Sequence, residues 1–572
     1  MKDYKELILD LLFDESWELT REQVKDMIEI PGDEKMGDYA FPCFKLAKAL
    51  RKAPPLIAAD VAEKIRGNEL FEKVENVNAY VNMYISRDGF MNDLVSKVLE
   101  EGENYGKSTV GEGKTVIVEY SSPNIAKPFH IGHIRSTVIG NSLYKIYDAL
   151  GYKTVRINHL GDYGTQFGKM ISAYRRWGNK EDVIKDPIKT LLSYYTKFHV
   201  EAEEHPELEQ EARDIFKKLE EGAPEEVELW QWFRDESLKE FTKVYNMLGI
   251  EFDSYAGESF YSDKMPRVLE ELKEKNLLEE SRGAQIVNLE EYGMTPALIT
   301  KSDGSTLYIT RDIAAALYRK ETYDFEKCIY VVASQQNLHF QQWFKIVELM
   351  GYDWAKDCVH VPFGMVSLKE GTMSTRKGRV VFLEDVLNKA VEKTHDIIVE
   401  KGVAKDNVDE IAKQVGIGAV VFNELSNNRI KDYVFDWDNL LNFDGETGPY
   451  VQYTHARACS LLKKAGEAVV ANAQKLVNVD AKFISSDSGY ELAKLIYRMP
   501  AVVLEAAAKY EPSIVTRHIV DIAQAFNKFY NNERIIVEDE TELTSKIALV
   551  ISAKTVIANG LKLLGMEAPE RM

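Results

Sequence analysis

Only four of the 572 residues are cysteine, Cys43, Cys328, Cys358 and Cys459, and no two of them form a C-x-x-C pair. That scarcity argues against a disulfide framework and a thiolate zinc cluster, and leaves buried, unreactive thiols as the expectation. No apolar run reaches the roughly 18 residues a membrane-spanning helix requires. The opening Met1-Lys2-Asp3-Tyr4-Lys5-Glu6 lacks the basic start and apolar core of a secretory leader, so a cytoplasmic protein with no membrane partner is expected. Positive charge is also in short supply: 72 Lys and Arg face 92 Asp and Glu, a net charge of -20. Such a balance disfavours a polyanionic partner, because phosphate contacts are made by cations. The distribution weakens that objection. Residues 201–240 carry 15 acidic and 5 basic side chains, half of the total imbalance, whereas residues 445–572 carry 15 of each. Net charge alone therefore neither predicts nor excludes RNA.

What is present is an ordinary globular composition, 45% hydrophobic and 29% charged, in a chain long enough for several domains. Tyr4, Leu7, Ile8, Leu11 and Leu12 follow helical spacing, and Asn78 to Ile85 alternates like a half-buried strand. Together they predict an α+β domain over residues 1–108, closed by the glycine-rich stretch at 101–113. Thr115-Val116-Ile117-Val118-Glu119-Tyr120 reads as a buried strand; a helix over 131–150 and a strand at Thr154–Ile157 complete a βαβ unit. Cys328 to Val332 is a later strand, followed by a helix through Phe340–Phe344. An α/β parallel-sheet domain is expected over 113–385, with a helical insertion at about 178–255 that holds the acidic segment. Strand signals then almost vanish. A helical connecting region is expected over 386–445 and an all-α bundle over 446–572, including helices at Ala501–Tyr510 and Ile514–Phe529.

The turn after the first parallel strand reads Ser121-Ser122-Pro123-Asn124-Ile125-Ala126-Lys127-Pro128-Phe129-His130-Ile131-Gly132-His133. At such a strand-to-helix turn, backbone N–H groups and the helix dipole favour phosphate. His130 and His133, three residues apart, share one face of a helical turn and can donate to phosphate oxygens as charge develops. Gly132 removes a side chain where a flat base could lie. An isolated H-x-G-H is as often structural or metal-chelating; the strand before it, the helix after it and the upstream Asn124 and Lys127 favour the phosphate reading.

With these residues in view, the chain resembles the class I aminoacyl-tRNA synthetases, whose HIGH motif stands at His130 to His133. Glu119 to Pro128 and Gly161-Asp162-Tyr163-Gly164-Thr165-Gln166-Phe167-Gly168 are similar to the arginyl branch, which often has tryptophan where Tyr163 stands. The likeness runs to the ending Ala568-Pro569-Glu570-Arg571-Met572. It implies a Rossmann-like catalytic domain, an N-terminal domain that contacts the tRNA elbow and an anticodon-binding C-terminal bundle.

It also implies the site. The counterpart of the mobile KMSKS loop is Gly371-Thr372-Met373-Ser374-Thr375-Arg376-Lys377-Gly378, in which Thr372 and Thr375 occupy two usual lysine positions. Arg376 and Lys377, with Lys127, would supply the missing charge; by composition alone the segment would be a solvated basic turn. His130, Gly132, His133, Met373 and Ser374 would bind ATP. A guanidinium is met best by carboxylates and fixed acceptors. The resemblance places Asn124, Tyr308, Asp312, Gln336 and Glu258 around arginine; without it, Asp312 would read as a helix-surface acid. Tyr450, Tyr453, Tyr530 and Met572 would read the anticodon loop, where aromatic stacking matters more than charge. Away from that context, aromatics at helical spacing are usually core.

The implied reaction has two displacements. The carboxylate of L-arginine attacks the α-phosphorus of ATP, with magnesium on the phosphates, and the terminal ribose of tRNA(Arg) then takes the arginyl group from the adenylate. No zinc, no covalent enzyme nucleophile and no other resident metal is expected, and a monomer is the expected state. A non-catalytic RNA-binding paralogue is the principal rival, suggested by Thr372 and Thr375; a dinucleotide-forming nucleotidyltransferase shares the H-x-G-H turn but lacks the long helical C-terminal part.

Overall fold

The computed structural model describes residues 3–302, 307–368, 381–401, 407–436, 440–442 and 445–572. The chain divides into two compact units, Met1–Tyr105 with Arg457–Met499 and Asp521–Ile557, and Gly106–Ala456 with Pro500–Val520 and Ala558–Met572.

In the first unit the helix Tyr4–Leu12 is capped by Asp3, whose side chain accepts from the N–H groups of Lys5 and Glu6, and it buries Tyr4, Ile8, Leu9 and Leu12. An antiparallel sheet has the order β1 (Tyr39–Pro42), β3 (Tyr80–Ile85), β2 (Phe71–Val77). The predicted strand starts two residues late, because Asn78 adopts a left-handed turn conformation (φ 54°). Nor does β3 alternate cleanly. It is the central strand, and even Asn82 on it is buried. The residues from 457–499 join this unit through Tyr490, whose hydroxyl donates to Asp38 (3.1 Å).

The second unit is built on a parallel sheet of order β10-β9-β4-β5, with β4 at Thr115–Glu119, β5 at Lys153–Ile157, β9 at Lys327–Ala333 and β10 at Cys358–Phe363. The chain moves from β4 outward to β5, then crosses to the other side of β4 for β9. This reversal opens a crevice at the carboxyl ends of β4 and β9, the place where such sheets take nucleotides. Ile117, Cys328 and Tyr330 of the sheet face a core completed by Ile313, Leu317, Trp343 and Ile346 from the helices Tyr308–Tyr323 and Asn337–Leu349.

Between β5 and β9 lie the helices Gln166–Trp177, Lys180–Lys185, Pro187–Glu204, Glu207–Glu220 and Pro224–Leu248. They are followed by an antiparallel sheet of β6 (Glu279–Ser281), β7 (Ala284–Val287) and β8 (Ala297–Thr300), which the sequence reading missed. Later in the chain, β11 (Val366–Leu368) pairs in parallel with β12 (Tyr433–Phe435). The helix expected from Ala501 begins at Asp487 and continues through Pro500 to Lys509, so the proline does not end it. Among the described residues no helix is long and apolar enough to cross a membrane. Cys43, Cys328 and Cys358 are buried free thiols; Cys459 is only half-buried, a correction to the expectation for all four.

Candidate active site

The turn that follows β4 is held in an unusual backbone conformation. Ser121, Ser122 and Ala126 all have positive φ (70°, 47° and 56°), conformations that cost about 1–3 kcal/mol each outside glycine unless the surroundings enforce them. The surroundings do. The Ser121 N–H donates to Ser136 Oγ (2.9 Å) and its hydroxyl meets Tyr245 (2.8 Å), while the Ala126 N–H donates to Ser237 Oγ (2.9 Å). Tyr245 and Ser237 both belong to the helix Pro224–Leu248, so the insertion fastens the turn.

His130 caps a single turn of 3-10 helix, Ile131–His133, that leads into the helix Ile134–Ala149. The two imidazoles lie side by side, with ring centroids 4.0 Å apart. The turn's own N–H groups are already engaged: His130 N–H with His133 Nδ1 (3.2 Å), Ile131 N–H with Val381 O (3.0 Å), Gly132 N–H with His130 Nδ1 (3.1 Å) and His133 N–H with His130 O (2.9 Å). This corrects the expectation that those amides would face a phosphate; the 3-10 turn and the bridge to Phe382 consume them. His130 Nδ1 accepts from Gly132 N–H, which keeps that ring's proton on Nε2, whereas His133 Nδ1 lies 3.2 Å from both the N–H and the carbonyl oxygen of His130, so either of its neutral tautomers is satisfied there. Burial lowers the pKa of His130. Burial, with the neighbouring His130 and Lys127 charges, pushes His133 down to about 3.

Asn124 is exposed beside the loop that follows β5. The two loops are stitched together by Gly161 N–H to Pro123 O (3.1 Å) and Ile125 N–H to Gly161 O (3.2 Å). Gly161 leaves room for the Asn124 side chain there, since a Cβ would stand 2.3 Å from Asn124 Oδ1 and displace it. The next residue, Asp162, is buried and reaches across to Ser259, accepting from its N–H (2.8 Å) and its hydroxyl (2.9 Å). The Glu258 N–H donates to Leu160 O (2.9 Å). Glu258 is thereby brought beside the helix Tyr308–Tyr323, where Arg311 faces it at 3.8 Å. The Arg311 guanidinium lies over the Tyr163 ring (4.3 Å). Burial raises the Glu258 carboxyl to about 7, with Arg311 opposing and the Asp312 and Asp162 charges adding to the rise.

Asp312 is half-buried and paired with His339 Nε2 from the helix after β9. Tyr308 is 61% exposed at the start of its helix, and Gln336 is exposed just past β9. The fold thus collects Asp312 and Glu258 into one electrostatic neighbourhood and sets Asn124 on the loop stitched to Gly161. Sequence reasoning missed Asp162, Ser259, Arg311 and His339. Asp162 lay in a stretch already quoted, but nothing in its spacing pointed to Ser259. Met373, Ser374, Arg376 and Lys377 lie outside the described residues. Tyr450 and Tyr453 are half-buried on the helix Gly448–Ala465, Tyr530 lies under the Arg457 guanidinium (5.3 Å), and Met572 packs against the Ile398, Ile411, Ala412 and Val415 cluster.

A parallel sheet with paired imidazoles at its switch point defines a nucleotide-activating enzyme, and residues 94–437 match the family model of class I tRNA synthetases (R), catalytic domain. Residues 4–85 match the arginyl tRNA synthetase N-terminal domain and residues 451–572 the DALR anticodon binding domain. The chain belongs to the arginine–tRNA ligase family. It is 61% identical over 572 residues to the arginine–tRNA ligase of Clostridioides difficile (strain 630) and 56% identical to that of Halothermothrix orenii, covering all of each chain. Its fold is similar to Thermus thermophilus arginyl-tRNA synthetase, with a TM-score of 0.79 at 24% identity, covering 100% of this chain and 99% of that one. The Plasmodium falciparum enzyme gives a TM-score of 0.76 at 25% identity, covering 95% and 94%.

Proposed function

We propose that the chain ligates L-arginine to tRNA(Arg) through an arginyl-adenylate, releasing AMP and pyrophosphate, as a cytoplasmic monomer. The observation that carries the residue assignment is that Glu258, facing Arg311 at 3.8 Å, feels the charge of Asp312, which is itself paired with His339, in the same parallel-sheet domain that presents His130 and His133. An acid site of this kind suits a planar, permanently charged guanidinium. Entry of that cation favours ionised Glu258, while Tyr308, Gln336 and Asn124 take the rest of the amino acid. Neutral analogues would offer these acids no charge beyond that of Arg311 and His339 and are rejected for that reason.

His130 through Nε2–H, and His133 in its Nε2–H tautomer, donate to phosphate oxygens as charge builds at the α-phosphorus. Neutral donors are well suited here, because their strength does not change with pH near neutrality. Lys127, Ser374, Arg376 and Lys377, together with Met373 and Gly132, complete the ATP contacts. Magnesium takes oxygen ligands. The donors at the 130–133 turn are imidazoles and amides, so the ion would be carried on the phosphates of ATP, where it would offset their charge, rather than by this turn. Residues 1–108 contact the tRNA elbow, and Tyr450, Tyr453, Tyr530 and Met572 in residues 446–572 contact the anticodon loop. Arginine-dependent ATP–pyrophosphate exchange, with and without tRNA(Arg), tests the reading. Exchange that requires tRNA is expected; no exchange despite tight tRNA binding would leave an RNA-binding protein, and exchange with another amino acid would overturn the specificity.

A further inference from the structure

Along the helix Ile134–Ala149, twelve residues beyond His133, Lys145 reaches a cavity of about 270 Å3. At 1.5 Å per residue this is roughly 18 Å from the imidazole pair. The walls come from four helices: Lys145 from this one, Asn246 from Pro224–Leu248, Lys413 and Gln414 from Val408–Ser426, and Lys562 from the end of Glu540–Leu563. Three lysines therefore line one small space, Lys145 half-buried and Lys413 and Lys562 exposed at its rim, with Met247, Leu248, Ile417, Val421 and Met566 as its apolar part. Lys145 is half-buried, and after burial itself the influences on it are the positive charges of Lys562 and Arg156, opposed by Asp148. The acid on the lining, Glu567, is engaged by the Gln414 amide (2.7 Å). Helix ends attract lysine, and Pro224–Leu248 ends here while Lys562 stands in the last turn of its own helix. Two such ends account for two lysines at most, and leave a third on the same lining, where Lys145, whose ammonium also lies over the Tyr144 ring (5.6 Å), and Lys413 come from two other helices.

We propose that this cavity is an anion site that takes a phosphate group, supplied by the backbone of the bound tRNA. The site rests on the ligase reading only for the identity of that polyanion. A free oligophosphate would bring the same chemistry, and the test separates the two sources. Full-length wild-type protein, K413Q and K145Q/K413Q are titrated with tRNA(Arg) from about 50 to 200 mM salt, and each protein is separately titrated with tripolyphosphate at saturating ATP. Loss of one phosphate contact makes the slope of log affinity against log salt shallower by about one. The expected result is that change for K145Q/K413Q, a smaller one for K413Q, unchanged kcat at saturating tRNA and an unaltered melting temperature. Loss of tripolyphosphate binding with an unchanged tRNA slope would keep the phosphate site but overturn the tRNA source. Unchanged slope and unchanged tripolyphosphate binding, with or without a lower melting temperature, would overturn the site and leave the lysines as helix-end partners. Failure of the wild-type protein to arginylate tRNA would instead strike at the ligase reading, since both binding titrations are read without turnover.

Discussion

Asp162 grips Ser259 with both carboxylate oxygens, one on the N–H (2.8 Å) and one on the hydroxyl (2.9 Å). This side chain, which also accepts from Arg234 Nε (3.3 Å), and the Glu258 N–H to Leu160 O bond (2.9 Å) together join the loop after β5 to a segment 97 residues later in the sequence. Glu258 immediately precedes Ser259, so the position of this proposed pocket acid is inherited from the grip.

Asp162→Asn keeps the size of the side chain but removes the charge and turns the oxygen that accepts from both Ser259 Oγ and Arg234 Nε (3.3 Å) into a donor, which Arg234 cannot meet. Hydrogen bonds to charged groups contribute about 1.5–3 kcal/mol, and a misplaced Glu258 loses its own electrostatic contact as well. The expected outcome is a rise of roughly 10- to 100-fold in KM for arginine, with KM for ATP nearly unchanged. Steady-state arginylation kinetics at saturating tRNA measure both. Ser259→Ala removes only the hydroxyl contact and should give the smaller effect of the two.

Glu258 predicts a proton linked to arginine binding. With its carboxyl raised to about 7, the empty protein holds Glu258 partly protonated near neutral pH. A guanidinium beside it favours the ionised form, so binding expels the proton. Calorimetry of arginine binding at pH 7 in buffers of different ionisation enthalpy should show release of about half a proton, and affinity should climb between pH 6 and 8. Glu258→Gln removes the release. The sign for folding runs the other way. A raised carboxyl favours the folded state fully below the unfolded value and loses that contribution as pH rises toward 7.

Much of the framework was legible because it is written in short-range patterns. The β-branched run at Thr115–Glu119 can only be a buried strand, and the H-x-G-H turn follows it at the expected place. The small sheet β6-β7-β8 was missed because Glu279-Glu280-Ser281 carries no apolar alternation; it is an edge strand paired only with β7. The pocket acids are legible as residue types, but their meeting depends on contacts such as Asp162 to Ser259 that spacing does not encode. The fate of the backbone N–H groups at residues 130–133 was misread for a related reason. Val381 and Phe382, some 250 residues later, return to bond the same turn.

His133 should not titrate in the working range of the enzyme. Its pKa is pushed down to about 3, so the ring is neutral from pH 5 to 8 and an NMR titration of its imidazole over that range should be flat. A histidine whose folded value lies below the unfolded one stabilises the fold above pH 6.5 and loses that contribution as pH falls toward 3. Replacing a donor aimed at developing phosphate charge commonly costs about 100- to 1000-fold in kcat. His133→Gln, which keeps an N–H donor, should retain more activity than His133→Ala, and neither should displace the acidic limb of the pH–rate profile.

Arg135, two residues past His133, and Glu424 form a fully buried pair 3.7 Å apart. The guanidinium donates to Gly364 O (2.9 Å) and Lys431 O (2.7 Å), the residues just ahead of β11 and β12. Among the described residues no hydrogen-bond donor reaches either Glu424 oxygen, and burial raises that carboxyl to about 8 despite the nearby cation. Arg135→Met would strip both carbonyls of their donor, each costing about 1–3 kcal/mol, and should lower the melting temperature by several degrees. Glu424→Gln probes the other half. In the native protein the contribution of a raised carboxyl is complete below pH 4.5 and is lost as pH climbs through about 8. A neutral amide has no such window. The melting temperature of the Glu424→Gln protein should therefore match the native one near pH 5 and exceed it near pH 8.5, as scanning calorimetry at the two pH values will show. A difference of equal size at both pH values would mean that Glu424 is ionised throughout, held as a true ion pair by Arg135.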